Sequence, residues 1–201
     1  MDRYKNFEDL SKNVKAEHFY VYQQEGSSGL SVLAPHGGGI EPGTSEIAKG
    51  IAGTEHTLYC FEGKKPKGNR ALHITSTNFD EPTALEIVKR SEKVLAIHGC
   101  SDKREVIYLG GLDNDFKSKI YRFLVGAGFR VEDPPTLTLQ GNHPDNICNR
   151  SKNDCGVQIE ISEGLRRLMF EDYAKWKGRQ RTRPTYEKFV SAIREAITEI
   201  V

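Results

Sequence analysis

Ala34-Pro-His-Gly-Gly-Gly-Ile-Glu-Pro-Gly-Thr-Ser-Glu46 is the stretch that decides the fold. Ahead of it lies Leu30-Ser-Val-Leu-Ala34, a short apolar run that predicts a buried strand. Three glycines, an acid and a proline then break the pattern. Helical periodicity begins at Glu41-Pro42, with Thr44 or Ser45 near the cap and Ile47, Ala48 and Ile51 turned inward. His36 and Glu41 thus sit five positions apart on a glycine-rich turn at the carboxyl end of a strand.

A second apolar run, Lys93-Val-Leu-Ala-Ile97, ends in the same way at His98-Gly99. In an open α/β sheet, ligands gather at the carboxyl ends of strands. Two histidines and one carboxylate are a common set of protein ligands for catalytic zinc, with the fourth position left to water. His36, Glu41 and His98 are therefore the candidate ligands of one Zn2+ ion. Gly37-Gly38-Gly39 also admits a phosphate cradle, because glycines allow φ > 0 and close approach of backbone N–H groups. It lacks the Lys-Ser/Thr of a P-loop and the glycine spacing of a dinucleotide site.

The 201 residues suit one domain, 1–201, with a core that needs no staples and with residues 1–16 as a peripheral arm or short helix. Twenty-nine Lys and Arg against 28 Asp and Glu leave a formal charge of +1, which argues against a bulk nucleic-acid or membrane-surface binder. No apolar run reaches membrane-spanning length, and the charged start lacks the core of a signal peptide. The expectation is a cytoplasmic monomer, released only on lysis. The four cysteines have no CxxC spacing and are expected as free thiols, with Cys148 and Cys155 pairing only in an oxidising compartment. Cys100, two residues from His98, invites a nucleophile's role, but a small residue packed beside the site is the plainer expectation.

Further along, Phe7, Leu10 and Val14 form a helical stripe, and 18–22 and 57–61 read as strands. Residues 81–90 form an amphipathic helix leading into the His98 strand; 105–109 is a strand and 114–129 a helix stopped by Gly128. The βαβ rhythm implies a twisted, mostly parallel or mixed sheet with helices on both faces. Residues 132–154 are long and irregular, a length that tends to be functional or mobile. Gly156-Val-Gln-Ile-Glu160-Ile-Ser162 alternates, placing Gln158 and Glu160 opposite three apolar residues. A carboxylate there is costly to bury unless it is paired or used. Residues 176–184 are expected to be a basic linker before a last helix over 186–201. Arg104 leaves the metal site on the 99–104 loop and is placed equally to meet a substrate carboxylate or to form a surface ion pair, while His73 is expected as a structural or outer-shell residue.

The strings 36–46, Ala71-Leu-His-Ile-Thr-Ser-Thr-Asn-Phe-Asp-Glu-Pro82, 96–99 and 156–162, in this order from about Tyr20 to Val201, resemble the poly-γ-glutamate hydrolases of bacteriophages and prophages. The resemblance implies a zinc amidohydrolase with a fold similar to zinc carboxypeptidases. It implies His36, Glu41 and His98 as metal ligands and Glu160 as the catalytic carboxylate. The implied substrate is polyanionic poly-γ-glutamate, for which Arg70, Lys103, Arg104, Arg150 and Lys152 are available cations. Asn149-Arg150 is a further candidate for a substrate carboxylate and carbonyl. Zinc carboxypeptidases use such a pair, although theirs precedes the last ligand and this one follows it. Two other functions fit the same metal core: a zinc amidase acting on other N-acyl amino acids or cell-wall peptides, and a non-catalytic, metal-stabilised phage binding protein.

Overall fold

The computed structural model describes residues 2–200. Seven strands form one sheet: β1 (Phe19–Gln24), β2 (Leu30–Gly38), β3 (Thr57–Gly63), β4 (Lys93–Cys100), β5 (Ile107–Gly110), β6 (Val131–Glu132) and β7 (Val157–Ser162). Their order is β1-β3-β2-β4-β7-β5-β6. The central pairs β3-β2, β2-β4 and β4-β7 are parallel, whereas β1-β3 and β5-β7 are antiparallel. This is the mixed α/β sheet that the sequence predicts.

Each central strand is buried on both faces, and its side chains alternate between two cores. Val32, Leu58, Leu95, Ile97, Ile159 and Ile161 face one cluster. Helices α2 (Thr44–Ala52), α4 (Asn114–Gly126), α5 (Glu163–Met169) and α7 (Pro184–Thr198) cover that cluster. Leu33, Tyr59, Phe61, Val94 and Ala96 face the other, against Leu10 of α1 (Phe7–Asn13) and Ala84, Ile87 and Val88 of α3 (Pro82–Arg90). No helix among the described residues is long and apolar enough to cross a membrane.

Three expectations need adjusting. Helix α2 starts at Thr44 rather than at Glu41-Pro42, because Gly43, at φ 96°, turns the chain in the left-handed region just before it. Glu41 therefore stays on the turn. Residues 176–184 are not a linker: α6 (Trp176–Arg179) lies within them, and Arg179 is buried against the Glu46 carboxylate at 3.1 Å. The last helix begins at Pro184, and Val201, where the sequence places its end, lies outside the described residues. The irregular 132–154 stretch is held by its own bonds: Asn149 donates to the carbonyls of Gly141 and His143, and accepts from the N–H of Leu112 and of Gly156.

Candidate metal centre

The sheet's parallel centre puts the carboxyl ends of β2, β4 and β7 side by side. At the end of β2, Pro35 has no N–H to give, and the β2-β3 register shifts between Ala34 and Gly37. Gly38, at φ 64°, passes so close to β3 that a side-chain Cβ would lie 2.6 Å from the Gly63 carbonyl oxygen. The turn then closes with Glu41 N–H donating to the His36 carbonyl at 2.9 Å. A glycine turn of this tightness folds Glu41 back over His36.

The three predicted ligands meet. His36 Nδ1 lies 3.1 Å from His98 Nδ1 and 3.2 Å from Glu41 Oε1. One donor atom from each of the three falls within 4.8 Å of the others, and both imidazoles are buried. The far nitrogen of His36, Nε2, donates to the Ile74 carbonyl at 2.7 Å, which leaves Nδ1 turned toward Glu41 and His98. Glu41 Oε2 accepts from the Gly99 N–H at 2.8 Å, tying the turn to β4. Burial alone would raise the Glu41 carboxyl; the charge of His36 and its hydrogen bond, helped by His98 and His73, outweigh it and hold Glu41 at about 2. Burial, then the charge of His36, push the His98 imidazole down to about 3. Burial lowers the His36 imidazole, but Glu41 and the Ile74 carbonyl raise it on balance, so a cation that meets the ionised Glu41 and the neutral His98 also displaces the proton that His36 keeps. The three donor groups lie close enough together to hold a metal ion.

His73 stacks on His36, with ring centroids 4.0 Å apart. Its Nδ1 is 2.7 Å from Asp2 Oδ1 and its Nε2 is 3.8 Å from Glu41 Oε1. Asp2 is fixed in turn by the N–H and hydroxyl of Thr75.

Glu160 pairs with His98 in the β4-β7 register and faces the same side of the sheet. It is buried. Burial and then the charge of Glu41 raise its carboxyl well above the usual range, with Arg166 pulling the other way. Gln158, two residues earlier on the same face, donates Nε2–H to Glu160 Oε1 at 3.0 Å. Asn146 Nδ2–H donates to Gln158 Oε1 at 2.9 Å, which fixes the orientation of the Gln158 amide.

All four groups line a cavity of about 1040 Å³, flanked by Asp2, Arg3, Arg70, His73, Cys100 and the 136–139 segment. The Cys100 thiol is pushed up, first by burial, and so stays protonated rather than nucleophilic. All four cysteines, including Cys148 and Cys155, are free.

Most of the cations named from sequence go elsewhere. Arg104 bonds Asp102, Glu132 and the Tyr108 hydroxyl and does not line the cavity. Asn149 is a buried backbone staple, and Arg150 bonds the carbonyls of Asp145 and Thr77. Lys103 and Lys152 pair with Glu163 and Glu92. Arg70 alone of that set reaches the cavity, joined by Arg3 and by the buried Arg166, neither of which the sequence singled out. A spacing-based search misses Arg166 because it sits on α5, beyond the strand that carries Glu160. The Gln158 contact was foreshadowed by the alternation of β7.

A family model described as poly-gamma-glutamate hydrolase matches residues 4–192. The chain is 41% identical over 175 residues to the UPF0714 protein YndL of Bacillus subtilis, covering 84% of this chain and 67% of that protein. A solved structure described as zinc-free, apo YndL superposes with a TM-score of 0.95 at 35% identity, covering 100% of each chain. Another, of a bacteriophage poly-gamma-glutamate hydrolase, gives 0.94 at 32% identity over 99% of this chain and 98% of that one.

Proposed function

The chain belongs to the poly-gamma-glutamate hydrolase family, and from that membership we propose that it is a zinc-dependent hydrolase cleaving the γ-glutamyl amide bonds of poly-γ-glutamate. The observation that carries this reading is the convergence of His36, Glu41 and His98 beside the buried Glu160, in one cavity. Two imidazole nitrogens and one carboxylate oxygen, with His36 oriented by a carbonyl on its far nitrogen, suit zinc's mixed N/O preference. A relative whose structure is described as zinc-free supports the choice of metal.

His36, Glu41 and His98 would hold the ion. When bound, zinc supplies Lewis acidity, making water acidic near neutral pH and polarising the amide carbonyl. With the Glu41 charge, which raises the Glu160 carboxyl, engaged by the cation, Glu160 would be ionised and take the proton of the attacking water as general base. The water oxygen adds to the γ-carbonyl carbon, and Glu160 returns the proton to the amide nitrogen as the C–N bond breaks. The products are a chain ending in a γ-carboxylate and a chain ending in a free amine. Gln158 holds the proton carrier in place through both transfers, and Arg3 and Arg70 at the cavity rim favour a polyanion.

The test is to incubate the purified protein with poly-γ-glutamate and follow chain length, with a chelator and after zinc is restored. Shortening that stops with the chelator and resumes with zinc supports the proposal; intact polymer under all conditions rejects it.

A further inference from the structure

Among the described residues two arginines are buried, and they are treated differently. Arg179 is 4% exposed and paired with Glu46. Arg166 is 3% exposed, and among the described residues no carboxylate oxygen comes within 4.0 Å of its guanidinium nitrogens. Its partners are neutral. Nε–H donates to the Ile161 carbonyl at 3.0 Å, Nη1 donates to the Pro42 carbonyl at 2.6 Å and to the Tyr173 hydroxyl at 2.8 Å, and Nη2 donates to the Cys100 carbonyl at 2.9 Å. These four bonds leave one of the guanidinium's five N–H groups, on Nη2, without a partner. The Tyr173 oxygen, accepting from Nη1, keeps its own proton to donate. Both residues line the cavity.

The guanidinium is laid against the metal strand. A Cβ on Gly99 would lie 2.4 Å from the Arg166 central carbon, so only glycine after His98 lets the cation approach this closely. A buried charge without a counter-charge is costly, and here it is held rigidly by carbonyls from three segments next to the candidate metal ligands. We propose that Arg166, with the Tyr173 hydroxyl, is the anion site for the α-carboxylate on the leaving side of the scissile γ-amide.

This deepens the hydrolase reading and rests on it for the identity of the substrate. In a γ-linked chain the scissile nitrogen is bonded to a carbon that also carries a free α-carboxylate. That anion is two bonds from the nitrogen, close enough for a cation beside the metal ligands to hold it. In an α-linked peptide the same position carries a neutral amide carbonyl. Arg166 would thus select γ-linked over α-linked glutamate within the chain, not only at its end, because every γ-linked residue offers the carboxylate.

The test separates binding from turnover. Calorimetry on zinc-loaded Glu160→Gln protein compares the γ-glutamylglutamate dimer with the same dimer carrying an α-carboxamide on its second residue alone. A charge-assisted bond predicts about ten- to hundredfold tighter binding of the acid. Arg166→Met should bind the two ligands alike, and Tyr173→Phe, which spares the carbonyl contacts, should narrow the difference. Equal binding of both ligands by the Glu160→Gln protein itself overturns the proposal without any change at Arg166. So does a folded Arg166→Met protein that still discriminates, or one that loses kcat with KM unchanged. If discrimination holds while poly-γ-glutamate stays uncut, the anion site stands and the hydrolase reading fails.

Discussion

Gln158 and Glu160 lie two residues apart on β7, and the Gln158 amide nitrogen donates to the Glu160 carboxylate at 3.0 Å. The direction of that bond is set one residue further out, where Asn146 donates to the Gln158 oxygen. Asn146 also uses its own oxygen to accept from the Cys148 N–H at 3.1 Å.

Asn146→Asp keeps the acceptor for Cys148 but cannot donate. The Gln158 amide should then turn its nitrogen toward Asp and its oxygen toward Glu160, replacing attraction by repulsion. We expect kcat to fall by about tenfold or more, the loss of one hydrogen bond to a charged group, with KM and zinc content unchanged. Steady-state kinetics beside metal analysis check this. An unaltered kcat would mean that the contact does not position Glu160.

Glu160→Gln should remove about 10²- to 10⁴-fold of the rate, the usual share of a general acid–base group. It should also stabilise the metal-free protein. Burial and Glu41 raise the Glu160 carboxyl in the fold, above an unfolded value of about 4.3. A raised carboxyl contributes stability that is complete below the unfolded pKa and lost as pH rises through the folded one. Glutamine escapes that loss. Thermal midpoints of the metal-free proteins should therefore favour the variant near pH 8 and converge near pH 4. A parent protein that is more stable at pH 8 would contradict this.

Arg179 joins the last third of the chain to the metal strand, bonding Glu46 at 3.1 Å, the Tyr173 carbonyl at 3.1 Å and the Gly38 carbonyl at 3.5 Å. Arg179→Ala leaves the largely buried Glu46 without its counter-charge. The expected cost is about 3–5 kcal/mol, read from urea unfolding of the metal-free protein. A change under about 1 kcal/mol would mean that solvent already screens the pair, as it does at the surface.

The cluster of candidate ligands was legible in the sequence because each of its residues is placed by local features. A histidine at a strand end, with an acid folded back by glycines, is fixed by a few neighbouring residues. Glu160 was legible only through resemblance joined to strand alternation. The cations were not legible. Arg104 and Arg150 looked well placed by their distance along the chain, but nearby acids and carbonyls satisfy them first. Arg166 comes to the cavity, and Arg179 to Glu46 beside strand β2, through tertiary contacts with residues 124 and 133 positions away, which no local pattern encodes. Helix α6 was hidden in the same way. Its four residues carry too short a period to detect, and burial of Arg179 rather than an apolar stripe marks its inner side.

The central claim is that His36, Glu41 and His98 grip one ion. Titrating zinc into the metal-free protein tests it most directly, by calorimetry of the parent and of Glu41→Gln. One zinc per chain is expected for the parent. Glu41→Gln, which replaces a charged ligand by a neutral one of the same shape, should bind about a hundredfold more weakly or worse, equivalent to about 2.7 kcal/mol. A parent that takes up no zinc, or a Glu41→Gln protein that binds it as tightly as the parent, would contradict the assignment.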